Sequence, residues 1–268
     1  MLKRTLKTIL HTLGYELVKV PDANDSESRQ PLKYPVTEIE IKNLRKDLDV
    51  FFAHVNGPYS TDHSWTGYDT IEMLGYLSNE RLSFYHELIG LCRARTLSFD
   101  RKTIADIGTY LGYLPRLILE SASDCRVIGM DLDERSLGLA RHLCPACEFV
   151  VFDPMCNPGP YAGRFDIVFC TEVLEHVNDP EHSLSSLMRL LAPDGTLILT
   201  VPNGRTDLGG AGEKRDDESY TGHINFWSPE SWANVLRKNV SGTCETGVMS
   251  SGENFAVIRG SAASDHFR

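Results

Sequence analysis

No stretch of the sequence approaches the roughly 18–20 consecutive apolar residues that span a bilayer as a helix. A helical membrane protein is therefore not expected. Positive charge is also scarce: 27 Lys and Arg face 37 Asp and Glu, for a net charge of −10. Extensive contact with nucleic-acid phosphates needs clustered cations, so this balance argues against such a partner, a local basic groove aside. The seven cysteines form an odd set, with no secretory signal beside them. That fits a reducing cytoplasm. Only one C-x-x-C is present, Cys144 to Cys147. Without a second pair it does not make a structural zinc site, and it reads as two thiols at a helix-to-strand turn.

The basic, apolar segment 1–20 lacks the features of a signal peptide. Lys7 and His11 interrupt its apolar core, and no small-x-small cleavage site follows. Leu2, Leu6, Ile9, Leu10, Leu13 and Leu17 recur at helical spacing. The favoured reading is an amphipathic helix packed on its own domain; peripheral docking to a membrane surface or partner is the alternative. A polar, proline-punctuated linker, "PDANDSESRQPLKYP", follows at 21–35. The organisation expected is a helical extension over 1–78, a main domain over 79–262 and a tail over 263–268.

Within the main domain the pattern changes after a helix over 79–97, where Leu82, Tyr85, Leu88, Ile89 and Cys92 share a face. Short apolar strands at 103–107, 126–131, 149–153, 165–170 and 196–202 alternate with helical stretches at 113–122, 133–143, 172–177 and 180–191. Such alternation predicts βαβ units and a parallel sheet covered on both faces. A helix over 228–239 follows. Apolar runs at 243–249 and 255–259, joined by "S-S-G-E-N", then predict a closing antiparallel hairpin. The fold class is α/β: a Rossmann-like, doubly wound, mainly parallel seven-stranded sheet with an antiparallel end.

The first strand enters a glycine turn, "D-I-G-T-Y-L-G-Y", over 106–113. Asp131 ends the second strand about 20 residues beyond Gly108, a placement that suits a ribose diol. Asp153 ends the third. Three strand ends therefore carry Asp106, Asp131 and Asp153, bordering the ligand crevice of an open α/β sheet. The dinucleotide fingerprint G-x-G-x-x-G is missing, because Tyr110 and Leu111 stand between Gly108 and Gly112. S-adenosylmethionine, with an ammonium, a sulfonium and a ribose diol but no pyrophosphate, matches the acids better.

Over roughly residues 80–260 these motifs resemble the class I S-adenosylmethionine-dependent methyltransferases. The resemblance implies that Asp106 meets the methionine amine, Asp131 the ribose hydroxyls and Asp153 the adenine. Gly108, Thr109, Tyr110, Gly112, Leu132, Pro154 and Thr171 would line the same cofactor site. Tyr110 departs from the common D-x-G-x-G-x-G, and the loop is similar to that of catechol-type O-methyltransferases. "F-D-I-V-F-C-T-E-V-L-E-H-V-N-D-P", "L-A-P-D-G-T-L-I-L-T-V-P-N" and "G-H-I-N-F-W-S-P-E-S-W" are similar to ubiquinone-biosynthesis and to sugar and small-metabolite O-methyltransferases.

If a helix begins near Thr171, then Glu172, Glu175 and His176 lie at i, i+3 and i+4 on one face. Two carboxylates there repel unless a proton or cation intervenes. With His223 from "T-G-H-I-N-F-W" the set suits Mg²⁺ or Mn²⁺. It also resembles the metal site of small-RNA 3′-end ribose 2′-O-methyltransferases. The other reading is a metal-free pocket, with His176 or His223 as general base and Glu172 beside it. The expected function is methyl transfer to a hydroxyl of a small metabolite or sugar. RNA ribose methylation and a non-catalytic S-adenosylmethionine-binding module are the alternatives.

Overall fold

A computed structural model describes residues 79–204 and 223–260. The expectations for 1–78, for the loop before His223 and for the tail lie outside these residues. The chain enters through helix α1 (Asn79–Ala94). It then alternates β1 (Thr103–Ile107), α2 (Tyr113–Ser121), β2 (Arg126–Asp131), α3 (Glu134–Leu143) and β3 (Glu148–Val151). A crossover leads to β4 (Phe165–Thr171), α4 (Pro180–Leu190) and β5 (Leu191–Val201). Helix α5 (Pro229–Asn239) and strands β6 (Thr243–Val248) and β7 (Asn254–Arg259) complete the domain.

The strands form one seven-stranded sheet in the order β3-β2-β1-β4-β5-β7-β6. The pairs among β1–β5 are parallel, while β7 runs antiparallel to both β5 and β6. Chain direction reverses in space between β1–β2–β3 and β1–β4–β5. This places a topological switch beside β1, where α/β sheets open their ligand crevice.

Both faces of the sheet are buried, which explains why the strands read as unbroken apolar runs. Ile104, Ile167, Phe169 and Ile198 point to the face covered by Phe84 and Leu88 of α1, Leu114 and Ile118 of α2, and Leu137 of α3. Ala105, Ile107, Val168, Cys170, Leu197 and Leu199 point to the face covered by Leu184 and Leu187 of α4 and Trp232 of α5. Burying one such side chain contributes about 1.5–3 kcal/mol. Helices α4 and α5 each begin with Pro after a capping residue: Asp179 accepts from His182 N–H and Ser228 from Ser231 N–H.

Two local expectations are corrected. Strand β5 begins at Leu191 rather than 196, because Phe165 pairs with Leu191 across an irregularity before Ile167 resumes pairing with Thr196. No α-helix forms over 172–177. Glu172 adopts φ 55°, outside the right-handed helical region, and only a 3₁₀ turn follows at Leu174–His176. The cause is tertiary: Glu172 N–H donates to Thr200 O at 3.0 Å. The shared helical face expected for Glu172, Glu175 and His176 therefore does not exist.

Candidate active site

The first loop is a tight construction over the end of β2. Gly108 and Thr109 N–H both donate to Met130 O, at 2.8 and 3.1 Å. Tyr110 N–H donates to Asp131 Oδ2 at 2.8 Å, and Gly112 N–H to Thr109 O at 2.9 Å. These four amides are consumed within the protein, so the loop is not a cradle for a pyrophosphate. Gly108 has φ 73°, and a Cβ there would collide with the side chain of Val173. The bare α-carbon lets the loops after β1 and β4 touch. Gly112, also at φ 73°, precedes α2, where a Cβ would strike the Phe149 ring at 2.6 Å.

Asp106, on β1, is almost fully buried, and its Oδ1 has no hydrogen-bond partner among the described residues. Burial pushes its pKa up to about 7, opposed by the Thr109 hydroxyl and reinforced by the Asp131 carboxylate. A buried acid in this state is costly unless a cation meets it. The ammonium of S-adenosylmethionine supplies one, so Asp106 fits the group expected there. Asp131 accepts from Tyr110 N–H and, at 3.0 Å, from Asp133 N–H. Its carboxyl is raised chiefly by burial. Leu132, the next residue, is 62% exposed, an apolar side chain offered to solvent at the strand end. Asp153 lies two residues past β3 and turns its carboxylate back on its own loop. Met155 N–H donates to its Oδ1 at 2.8 Å and the Cys156 thiol to its Oδ2 at 3.4 Å. Pro154 and Thr171 are buried.

Across β1, at the ends of β4 and β5, lies the second half of the site. Glu172 accepts from the Thr200 hydroxyl at 2.9 Å. Glu175 is 1% exposed, and both flanking imidazoles face its Oε1: His176 Nε2 at 3.7 Å and His223 Nε2 at 4.0 Å. The two rings meet edge to face with centroids 4.7 Å apart. Glu175, His176 and His223 each offer a ligand atom within 4.8 Å of the others. Glu172 is not in this trio, so the structure brings together three of the four sequence-predicted ligands.

The electrostatics of the two halves overlap at Cys170, the penultimate residue of β4. Its thiol is driven far above the usual range, chiefly by burial and further by the Glu175, Asp106 and Glu172 carboxylates. Negative charge thus converges where β1 and β4 end, a field suited to a cationic ligand.

Two asparagines that sequence reasoning missed hold the second half in place. Asn225 Nδ2 donates to Leu174 O at 3.1 Å and Val177 O at 2.7 Å. Asn254 Nδ2, in β7, donates to Pro202 O at 3.3 Å and Trp227 O at 2.8 Å. The only available signal was an amide in an otherwise apolar and aromatic context, "H-I-N-F-W" and "E-N-F-A-V". The C-x-x-C pair lies apart from this site, between α3 and β3. Both thiols are buried, and Cys147 donates to Val127 O at 3.2 Å.

A Rossmann-like sheet with Asp106 and Asp131 on adjacent strands and a first loop whose amides are consumed within the protein is the arrangement of a methyltransferase-type site. Residues 81–239 match the methyltransferase-domain family, and the chain belongs to it. S-adenosylmethionine is the cofactor of that family. The chain is similar to the ubiquinone biosynthesis O-methyltransferase of Aromatoleum aromaticum, with 35% identity over 113 residues, 41% of this chain and 47% of that one. It is 28% identical over 145 residues to the protein of that name from Nitrosomonas europaea, covering 53% and 58%. The chain spans about half the length of the curated relatives it matches. Among solved structures, a protein from Pyrococcus horikoshii OT3 shares the fold with a TM-score of 0.56, at 19% identity over 68% of this chain and 92% of that one. An S-adenosylmethionine-dependent methyltransferase from Aquifex aeolicus does so with a TM-score of 0.52, at 16% identity over 72% and 98%. No helix among the described residues is long and apolar enough to cross a membrane.

Proposed function

We propose that the protein methylates a hydroxyl oxygen of a small metabolite or sugar, with Glu175, His176 and His223 forming the acceptor end of the site. The observation that carries this reading is the buried Glu175 carboxylate set between two imidazoles, two residues beyond Val173, whose side chain lies against Gly108 of the first loop. The names of the ubiquinone biosynthesis relatives support oxygen as the acceptor atom.

On this reading Asp106 binds the cofactor ammonium, Asp131 the ribose and Asp153 the adenine, with Gly108, Thr109, Tyr110, Gly112, Leu132, Pro154 and Thr171 lining that pocket. Bound S-adenosylmethionine supplies an electrophilic methyl group on sulfur. The protein's work is then to place the acceptor oxygen in line and to manage its proton. A neutral hydroxyl is a weak nucleophile, and an imidazole that titrates near neutral pH is suited to take its proton.

With Glu172 out of the set, one carboxylate and two imidazoles would suit Mn²⁺ better than Mg²⁺, which prefers oxygen ligands, and the carboxylate is one that burial would otherwise penalise. Such an ion would lower the pKa of a coordinated hydroxyl. Glu172, held by Thr200, orients the turn instead of joining the ligands. The seven thiols, all free, favour a cytoplasmic setting.

The test is transfer of a labelled methyl group from S-adenosylmethionine to a panel of catechols, sugars and nucleotide sugars. It is run after EDTA treatment and again with Mg²⁺ or Mn²⁺ restored. An O-methylated product is expected, with activity restored by the metal. Absence of any O-methyl product across the panel overturns the acceptor assignment, and full activity in metal-free buffer removes the ion.

A further inference from the structure

We infer that Asn225 is a positioning residue, and that its side-chain amide fixes His223 against the Glu175–His176 turn. The inference rests on reading those three residues as the acceptor end of the site.

The two segments that meet there are 47 positions apart in the chain from His176 to His223, and neither is regular secondary structure that could place its side chains unaided. One is the 3₁₀ turn Leu174–His176. The other is the run 223–227, along which burial alternates: Ile224 and Phe226 face outward while His223, Asn225 and Trp227 are turned in. Carbonyls at the end of a short helical turn lack partners within it. Asn225 supplies them. Its two amide hydrogens are both used, one on Leu174 O and one on Val177 O. Those carbonyls bracket Glu175 and His176. In addition, Ile224 and Asn225 N–H converge on Glu175 O, at 2.8 and 3.1 Å. Four hydrogen bonds thus clamp the two segments, and two of them come from one side chain.

The chemistry of the clamp is specific to asparagine. It needs two donors on one planar nitrogen at short reach. Aspartate would set a carboxylate oxygen against two carbonyls, serine offers one hydrogen on a shorter arm, and glutamine adds a methylene. Functional groups must be held within about 0.5 Å of their working geometry. The side chain that holds this turn in register therefore governs how His223 meets Glu175 and His176, although it faces main-chain carbonyls rather than the acceptor.

The test compares the full chain with N225A, N225D and N225Q. The rate of histidine modification by diethyl pyrocarbonate is read residue by residue by mass spectrometry. His182, whose ring bonds Met155 O and no residue of this turn, is the internal control. S-adenosylmethionine affinity is measured by calorimetry on the same samples, and ring ¹H–¹⁵N spectra report His176 and His223 directly.

Losing two hydrogen bonds, each worth roughly a factor of five in local opening, should raise the His223 rate by at least about tenfold in N225A, with N225D at least as reactive. N225Q should fall between N225A and the parent. The His182 rate and the cofactor affinity should stay within about twofold, since nothing around Asp106 has changed. A His223 rate within about twofold of the parent in N225A overturns the inference. So does a parallel rise at His182, which would mark general loosening. Should N225A not fold, the N225Q spectrum and rate decide on the same criteria. Methyl transfer to the same panel of catechols, sugars and nucleotide sugars is followed in parallel. If the parent methylates no acceptor, the proposed function fails while the histidine rates still decide the role of Asn225. If the parent is active, N225A should lose turnover at unchanged cofactor affinity.

Discussion

Asp106 and Glu175 are both buried carboxylates at the same edge of the same sheet, yet their surroundings differ. Asp106 sits on a regular strand with one oxygen lacking a hydrogen-bond partner among the described residues, and burial raises its pKa to about 7. Glu175 sits in an irregular turn with two imidazoles at 3.7 and 4.0 Å. On the proposed reading, the first meets the cofactor ammonium. The second has two imidazoles beside it, and is the one proposed to handle a proton or an ion. The half proposed to hold the cofactor centres on Asp106 and Asp131, which stand on strands. The half proposed to react is built on loops, which chain contacts must hold in place.

The sharpest way to break this comparison is E175Q. If Glu175 serves chemistry, methyl transfer should fall by about 10²–10⁴-fold, the scale of a lost acid–base contribution, while cofactor affinity stays put. An equal loss of cofactor affinity, seen by calorimetry, would erase the distinction. D106N is the converse. A charged hydrogen bond is worth about 1.5–3 kcal/mol, so cofactor affinity should weaken by roughly tenfold to a hundredfold. The empty protein should melt at a higher temperature, because a buried acid has been removed. Unchanged affinity in D106N would show that the cofactor ammonium is held by another group.

A smaller effect is expected from pH alone. Asp106 must be ionised to meet an ammonium, so affinity should rise about tenfold per pH unit on approaching 7 and level off above it. The folded pKa lies above the ordinary value of 3.8. The stability contributed to the empty protein by this group is therefore complete below about 4 and is lost as pH rises towards 7. D106N should flatten both profiles; a pH-dependent affinity that survives in D106N assigns the effect elsewhere. The smallest change is expected from T200V. It removes the hydroxyl held by Glu172 and should cost about 1 kcal/mol in denaturant unfolding, with cofactor affinity unaltered.

The same division explains what could be read from the amino acids. Strands β1 and β2 were legible to the residue, because each is an apolar run closed by a lysine or arginine before it and an acid at or near its end. The glycine turn and its acids follow from local sequence, and so does the choice against a dinucleotide. The turn after β4 was not legible. Its i, i+3, i+4 spacing is compatible with a helix, and what excludes one is Thr200, 28 positions away, bonded to both the amide and the carboxylate of Glu172. Asn225 was hidden for the same reason: its partners are about 50 positions earlier in the chain. Contacts of that separation leave no periodic trace. The metal-ligand expectation lost Glu172 because it assumed a helical face that tertiary bonding does not allow.

The clamp between Glu175 and the run 223–227 has an evolutionary consequence. The two amides of Ile224 and Asn225 grip a main-chain oxygen at position 175, an atom that every amino acid carries. The side chain there is thus free to be exchanged without dissolving the junction that displays it. A duplicated copy of this gene could trade the carboxylate for an amide, a thiol or a hydroxyl and acquire different reactivity, while the surrounding architecture passes through the change intact.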